Sequence, residues 1–286
     1  MKPFLGIDLT TNKKNEQLNG TEFLVAQPSA AVLQALDQST TQMEEAIKQS
    51  KLPLPWRIVQ SICCMLSAIC FIGFMRALGE VTIAQAYRNA PWIIWLGVSS
   101  LVIWLTLKIM GAQQEKAVMD AEESSQILSN FGKTCEAAFA ELGVPKDAIE
   151  VDILSFLYKE KNGKIKVTER GMQIYSYLNP LFKVFADDEN LYFVNLRGKY
   201  AFPLSSLVAI HTIKKHIQIA PWQKNIGFNE GIYQQYKLTC DNYGGIHCKQ
   251  YHILEVNHNG LHYGIYIPCY ELPVFEKLTG LKAEEA

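Results

Sequence analysis

Four residues of metal-binding type lie close together in the segment CDNYGGIHCKQYH: Cys240, His247, Cys248 and His252. Thiolate sulfur and imidazole nitrogen are the usual ligands of structural zinc, which they hold at about 2.0–2.3 Å. The surrounding sequence, however, predicts one strand over residues 246–256, in which successive side chains point to opposite faces. Cys248 and His252 would then lie about 13 Å apart. The spacing therefore predicts no metal site and no metal cofactor.

The opening segment FLGIDLTTNKKN, residues 4–15, is similar to the phosphate-binding turn of sugar-kinase and actin ATPases. In that turn a glycine follows the Asp-Leu pair, because the backbone must approach the phosphates without a Cβ in the way. Here Leu9 is followed directly by Thr10. The segment therefore predicts a strand over residues 4–9, which pairs with a second strand over residues 21–26 in a small N-terminal hairpin.

Other catalytic patterns are missing from the sequence. It contains no Gly-x-Ser-x-Gly elbow and no glycine-rich phosphate loop, and its paired carboxylates at ADDEN belong to a turn that Asp and Asn favour. Its seven cysteines have no regular spacing, which favours reduced thiols in a cytosolic setting over a disulfide framework. We therefore expect no catalytic residue, no cofactor and no enzyme activity.

Basic residues in two predicted connections favour binding instead. If a β-barrel gathers these connections at one end and that end faces a bilayer, each cation contributes up to about 1 kcal/mol toward anionic headgroups. The alternatives are solvated lysine-rich loops and, for the tryptophan among them, a plug on one end of the barrel. The predicted lipid or partner contacts are Arg197, Lys199, Lys214, Lys215, Trp222 and Lys224.

Hydrophobic residues make up 49% of the chain, but they are concentrated in two runs. These runs predict transmembrane helices over about 57–76 and 91–110, close to the roughly 20 residues that cross about 30 Å of hydrocarbon. Trp56, Trp92 and Trp95 lie near their ends, where an indole prefers the headgroup level. A buried core helix is the alternative for each run, but two runs in tandem favour a helical hairpin in a bilayer.

Positive charge is distributed unevenly around the two runs. Five cations accompany their outer flanks, and two lie in the connecting loop RALGEVTIAQAYRNA. Because positively charged flanks stay in the cytoplasm, we expect a multi-pass plasma-membrane protein with both termini cytoplasmic. The flanking cations are Lys48, Lys51, Arg57, Lys108 and Lys116, and the loop contains Arg76 and Arg88.

The rest of the chain is predicted to be soluble, and it surrounds a transmembrane hairpin within residues 55–112. Residues 1–54 are predicted to form a cytoplasmic hairpin followed by an amphipathic helix that Ser29 caps and that runs to about Ser50. Residues 113–143 are predicted to continue the second membrane helix into the cytoplasm as a helical stalk.

From residue 144 to residue 286 the hydrophobic pattern changes from helical spacing to alternation, which is typical of strands. Eight or more short strands are separated by turn clusters that include Asn162-Gly163 and Asn259-Gly260. A helical patch, YELPVFEKLTGL, follows the last strand. The sequence thus predicts an α+β protein whose C-terminal β-rich domain is closed by a terminal helix.

The segment LYFVNLRGKYAFPLSSLVAIHTIKK, residues 191–215, resembles the first strands of bacterial PH-like domains. There, too, a hairpin crosses a charged turn, and a strand ends in an IPL-type sequence before a polar connection and an apolar strand. Together with two membrane helices, this segment is similar to the YcxB-like membrane proteins and related Firmicute proteins. The resemblance covers roughly residues 150–282, and it implies a fold and a membrane location but no reaction.

Two functions are compatible with this organisation. The first is a non-enzymatic integral membrane protein whose cytoplasmic PH-like domain acts as a scaffold, sensor or regulator and binds a protein or anionic lipid headgroups. The alternative is an accessory subunit of a multispan membrane transporter or membrane enzyme complex. Expected partners are the lipid bilayer and either a membrane protein or a second copy of the chain, whereas a net charge of −1 predicts no nucleic acid.

Overall fold

The fold combines helices with mixed β-sheets and divides into two compact units. Unit 1 comprises residues 1–33 and 135–286, and unit 2 comprises residues 34–134. Unit 2 is therefore an insertion between two parts of unit 1. The computed structural model describes residues 1–11, 17–79, 82, 85, 87–88, 90–168, 181–219, 234–240 and 246–285.

Four long helices are described between Ala30 and Glu141. Ser29 caps the first, because its Oγ accepts a hydrogen bond from the Val32 backbone N–H at 3.4 Å. This helix ends at Ser50, so the predicted cap and end are confirmed. The helices are α1 (Ala30–Ser50), α2 (Leu54–Leu78), α3 (Pro91–Met119) and α4 (Glu122–Glu141).

Helices α2 and α3 are long and apolar enough to cross a membrane, over Leu54–Ala77 and Pro91–Val118. Helix α2 starts three residues before the predicted bound, with a proline in its first turn, and ends two residues after it. Helix α3 starts at the predicted Pro91 and continues past residue 110 into the polar segment that ends at Met119. The two helices approach closely at Gly97, where an added Cβ would lie 2.9 Å from the Cβ of Cys70. The predicted continuous stalk is wrong in one respect, because α3 ends at Met119 and α4 begins at Glu122.

The described strands all belong to unit 1. They form two five-stranded sheets, β1-β16-β15-β11-β17 and β4-β10-β9-β8-β5, and two smaller sheets, β3-β2-β6-β7 and β12-β14-β13. Their bounds are β1 Lys2–Pro3, β2 Leu5–Asp8, β3 Gln17–Leu18, β4 Leu24–Ala26, β5 Ile149–Asp152, β6 Phe156–Lys161, β7 Lys164–Thr168, β8 Leu181–Ala186, β9 Asn190–Asn195, β10 Gly198–Pro203, β11 Leu207–Ile213, β12 Ile217–Ile219, β13 Thr239–Cys240, β14 Ile246–Cys248, β15 Tyr251–His258, β16 Leu261–Pro268 and β17 Ala283–Glu285.

The two Asn-Gly pairs that the sequence predicts as hairpin turns do form tight turns between strands. Asn162 and Gly163 join β6 to β7 with φ values of 52° and 70°, and Asn259 and Gly260 join β15 to β16 with 51° and 79°. Asn and Gly tolerate this left-handed conformation, which matches the twist of the flanking strands. The terminal helix α5 (Leu272–Thr279) is also confirmed, and it buries Phe275 in the core.

The predicted N-terminal hairpin is wrong. The two segments do contain strands, but β2 pairs with β3 and in parallel with β6, while β4 pairs with β10. Phe4 lies completely buried among the rings of Phe193, Tyr200 and Phe202. The N-terminal strands therefore complete the sheets and the core of unit 1, because burying these apolar side chains there removes more surface from water than a two-stranded hairpin would.

Candidate functional site

The predicted contact residues Arg197 and Lys199 lie at the turn between β9 and β10. The Lys199 ammonium lies 4.4 Å from the ring centroid of Tyr192 and 5.1 Å from that of Phe185, whose rings stack at 4.8 Å. The face of an aromatic ring attracts a cation. The Lys199 ammonium therefore packs against aromatic rings of the neighbouring strands in its sheet. The Arg197 side chain is exposed at the turn.

A carboxylate beside this aromatic pair completes a small polar cluster. The Tyr192 hydroxyl donates to Asp187 Oδ2 at 2.8 Å, and the backbone N–H groups of Glu189 and Asn190 donate to Oδ1. These backbone bonds, followed by the bond from Tyr192, lower the pKa of Asp187. The cluster stabilises the β8–β9 turn, and it has no arrangement of acid and nucleophile for catalysis.

The predicted contacts Lys214 and Lys215 follow β11, in the other five-stranded sheet. The Lys214 ammonium forms an ion pair with Glu285 of β17 at 2.6 Å. Strand β17 pairs in parallel with β11, an element that the sequence did not predict. Lys215 is exposed. The remaining two predicted contacts, Trp222 and Lys224, lie outside the described residues.

The structure separates the histidines and cysteines of the predicted metal candidate. The single strand predicted over residues 246–256 is wrong, since β14 ends at Cys248 and β15 begins at Tyr251. His247 stacks with His216, with 3.1 Å between the nearest ring nitrogens. Within the described residues, no group of three His, Cys, Asp or Glu side chains is placed to hold a metal ion.

Cys248 is instead beside a second thiol, that of Cys269. Both are buried, and the two thiols form a hydrogen bond with each other. That bond raises the pKa of Cys248, with burial acting in the same direction, and lowers the pKa of Cys269. Because neither sulfur is accessible to solvent, the pair packs as part of the core and offers no nucleophile to a substrate.

A buried carboxylate ties the start of the β-domain to its end. The Tyr270 hydroxyl donates to Asp152 Oδ2 at 2.7 Å, and the Asp152 backbone N–H donates to Glu271 Oε1 at 3.1 Å. Burial, followed by the charge of Asp152, raises the pKa of Tyr270, so the phenol stays protonated. The sequence analysis placed Tyr270 in the helical patch YELPVFEKLTGL, but nothing in it indicated a partner 118 residues earlier in the chain.

His252 is almost completely buried, with 1% of its surface exposed. Its Nδ1 lies 3.1 Å from the Thr212 hydroxyl, and its Nε2 has no hydrogen-bond partner in the described part of the chain. Burial disfavours the charged imidazolium and lowers the pKa of His252 to about 4, although the Glu276 carboxylate opposes this shift. The imidazole is therefore neutral at pH 7.

We expect acid to destabilise unit 1 through His252. The folded pKa of about 4 lies below the ordinary value of 6.5, so the unfolded chain binds the extra proton between these pH values. The contribution is fully present above pH 6.5 and decreases as the pH falls toward 4, by about 2 kcal/mol at pH 5. Urea unfolding of the full chain in detergent at pH 7 and pH 5 measures this loss.

The His252→Gln variant provides the comparison, because glutamine does not titrate. It should reduce the difference in unfolding free energy between pH 7 and pH 5 by about 2 kcal/mol. His258→Gln, at the more exposed end of the same strand, should leave that difference within about 0.5 kcal/mol. An unchanged pH dependence in His252→Gln would contradict the assigned role.

A carboxylate in the middle of β15, that of Glu255, bridges two further histidines. Glu255 Oε2 lies 2.8 Å from His211 Nε2 on β11, and Glu255 Oε1 lies 3.1 Å from His262 Nδ1 on β16. These two hydrogen bonds, that of His211 first, lower the pKa of Glu255. A histidine–carboxylate pair activates a nucleophile when a hydroxyl or thiol lies within reach, but the hydrogen bonds described for these two imidazoles are to Glu255. The trio is a hydrogen-bonded network across three strands.

The described polar groups of unit 1 therefore stabilise the fold or present charge to solvent. The selected basic residues that the structure describes are distributed over two sheets, and Lys199 and Lys214 contact groups within the chain. Comparisons of the chain with protein-family models, with curated proteins and with solved structures gave no match.

Proposed function

We propose that this protein is a non-enzymatic integral membrane protein. Helices α2 and α3 form a transmembrane hairpin, and unit 1 is a cytoplasmic PH-like domain that acts as a scaffold, sensor or regulator. Its ligand is a protein partner or an anionic lipid headgroup. One observation carries the proposal: few residues in the apolar spans of the two helices are buried, and many of their large apolar side chains are exposed.

The exposure of these helices supports a membrane hairpin over the helices of a soluble core. Only 6% of the apolar window of α2 and 11% of that of α3 are buried within the structure. Ile69 and Phe71 are 63% and 64% exposed, and Trp92 and Trp95 are 65% and 64% exposed. Leaving this much apolar surface in water would be strongly unfavourable, whereas hydrocarbon solvates it. A bilayer therefore accounts for these residues.

The strand order of unit 1 supports the PH-like proposal. Strands β5, β8, β9 and β10 are joined by antiparallel pairing, as are β11, β15 and β16, and helix α5 follows the last strand. An apolar core lies between these two sets and includes Phe275 of the helix. Two antiparallel sets closed by a terminal helix agree with the resemblance of residues 191–215. Such a rigid scaffold presents its loops and outer faces for binding.

The proposed topology has both termini on the cytoplasmic side. We expect a cysteine introduced at Thr82, between the two helices, to react with an impermeant thiol reagent in intact cells. A cysteine introduced at Asp188, in the exposed β8–β9 turn, should react only after permeabilisation. Labelling is compared with the unmodified chain to account for its native thiols. Labelling at Asp188 but not at Thr82 in intact cells would reverse the orientation.

Purification of the full chain from membranes tests the function. Alkaline carbonate should leave the chain in the membrane pellet, and its release would contradict membrane insertion. The inserted chain is then solubilised in detergent, crosslinked and analysed by mass spectrometry for co-purifying proteins and lipids. A soluble protein or an enriched anionic lipid supports the proposed binding module. A stoichiometric multispan protein would favour the accessory-subunit alternative.

A further inference from the structure

A cleft of about 810 Å³ lies in unit 2, where the chain passes from α1 into the apolar helix α2. Its walls come from the last two turns of α1, the connection to α2, the first turn of α2, and α3. It combines a cavity with several cations. The lining residues are Glu45, Lys48, Gln49, Lys51, Leu52, Pro53, Leu54, Arg57 and Gln114.

The backbone that carries the lysines of this cleft is fixed by contacts within unit 2. The Gln114 side-chain amide on α3 donates to the backbone carbonyl of Gln49 at 2.7 Å. The Leu52 side chain packs against Gly111, where an added Cβ would lie 3.3 Å from Leu52 Cδ1. The Lys51 backbone N–H donates to the Lys48 carbonyl at 3.3 Å. These contacts hold the connection between α1 and α2 against α3, so the cleft is formed without a ligand.

The cleft has an excess of positive charge. Lys48, Lys51 and Arg57 line it, against one carboxylate, that of Glu45. All three cations are exposed, and none forms an ion pair with another residue in the described part of the chain. By contrast, Lys214 and Lys199 in unit 1 already have partners within the chain. The cleft therefore presents cations that are available to an external anion.

The position of the cleft along α2 sets its depth in a bilayer. Arg57 lies in the first turn of α2, at the start of the apolar span Leu54–Ala77. Leu54 and Trp56 are 66% and 53% exposed on the same turn, and an exposed tryptophan at a span end is typical of the headgroup level. The positive end of the long helix α2 also adds a favourable field for an anion. The cations thus lie at the depth of lipid phosphates.

We propose that this cleft binds the headgroup phosphate of an anionic phospholipid, with Arg57 and the two lysines as the phosphate contacts. The planar guanidinium of arginine donates two parallel hydrogen bonds to phosphate oxygens, and the lysines add point charges. The proposal rests on the proposed membrane insertion, and it names the lipid ligand and the site. It assigns lipid binding to unit 2, not to the basic turns of unit 1.

Lysine acetylation of the full chain in nanodiscs tests the site. The nanodiscs contain phosphatidylcholine alone or phosphatidylcholine with phosphatidylglycerol, and brief acetylation is quantified by mass spectrometry. We expect phosphatidylglycerol to slow acetylation of Lys48 and Lys51 about fivefold, because each cation near an anionic surface gains about that factor in binding. Lys214 and Lys215 should change less. Equal rates for Lys48 and Lys51 in both lipids would overturn the proposal.

Two arginine variants at opposite ends of α2 test whether the lysines are protected by binding in the cleft or only by the general positive charge of the protein surface. Arg57→Gln should raise the acetylation rates of Lys48 and Lys51 in phosphatidylglycerol nanodiscs about fivefold. Arg76→Gln, which removes the same charge from the far end of α2, should leave these rates unchanged. Equal effects of the two variants, or protection confined to Lys214 and Lys215, would overturn the assignment to this cleft.

A third measurement tests whether the cleft binds a lipid headgroup or any free phosphate ion. Inorganic phosphate added to phosphatidylcholine nanodiscs should not protect Lys48 and Lys51, and full protection by phosphate alone would overturn the lipid assignment. Carbonate extraction is measured first on the same preparation. Release of the chain at that stage contradicts membrane insertion itself, whereas equal protection in an inserted chain contradicts only the lipid site.

Discussion

A chain of residues 144–286 alone is expected not to fold, although the sequence predicts it as an independent domain. Four strands of unit 1 come from the first 26 residues, and three of them pair with strands of the later part: β1 with β16, β2 with β6, and β4 with β10. Without them, apolar core surface and several strand edges would be exposed to water. Buried hydrogen bonds would be lost as well, since the Tyr158 hydroxyl donates to Asn19 Oδ1 at 2.8 Å.

The matched control joins Leu33 to Cys135 through a short Gly/Ser linker and so removes unit 2. The two ends are tied together near this point, because the Ser29 backbone N–H and hydroxyl donate to the Glu141 carboxylate at 2.7 and 3.0 Å. A linker adds little entropic cost, about 0.6 kcal/mol for each doubling of its length. We expect this chain to be soluble, since the apolar helices α2 and α3 are absent, and to unfold cooperatively.

Circular dichroism and urea unfolding compare the two chains. The joined chain should give a single cooperative transition, and residues 144–286 should give no transition. Cooperative unfolding of residues 144–286 alone would contradict the role assigned to the N-terminal strands. Aggregation of the joined chain, with no folded fraction, would contradict the description of unit 1 as a compact unit that needs no part of unit 2.

Phe4→Ala is the single substitution with the largest expected effect. The ring is completely buried, and its centroid lies 5.1 Å from that of Phe202, 5.4 Å from Tyr200 and 5.9 Å from Phe193. Truncation leaves a cavity among three aromatic rings that belong to the rigid sheet formed by β9 and β10. We expect a loss of about 3–5 kcal/mol in the free energy of unfolding.

Leu9→Ala is the control within the same N-terminal segment, because Leu9 is 37% exposed at the end of β2. It should cost less than about 1 kcal/mol. Urea-dependent hydrogen exchange of the β16 amides in the full chain measures both variants, since β16 pairs with β1. Equal losses for the two variants would show that Phe4 is not part of the core.

The local features of the fold could be read from the sequence because neighbouring residues determine them. The apolar lengths of the two runs predict α2 and α3, Ser29 predicts the start of α1, and Asn-Gly pairs predict the turns at 162–163 and 259–260. In each case the signal is a propensity or a periodicity within a few turns of chain. The C-terminal helix α5 was likewise predicted from the local pattern of its own residues.

Strand pairing between distant segments was decided by the tertiary structure. Residues 2–8 and 24–26 form strands, but nothing in their sequence specifies that their partners lie 150 or more residues later, in β6, β10 and β16. Burying Phe4 and Phe23 in a shared core contributes more free energy of folding than pairing these two segments in an isolated hairpin would. The division of residues 246–258 into β14 and β15 has the same origin, since each strand has a different partner.

The availability of charged residues also depends on the folded chain. A lysine in a turn looks free in the sequence, yet Lys199 lies over two aromatic rings and Lys214 is paired with Glu285. Lys48, Lys51 and Arg57 contributed to the sequence argument only as a count of charges for orientation. The sequence by itself determined that these cations lie next to an apolar span, because the cations and the span are neighbours along the chain. Their convergence around one cleft was decided by the packing of α1 and α2 against α3, which brings together residues more than sixty positions apart.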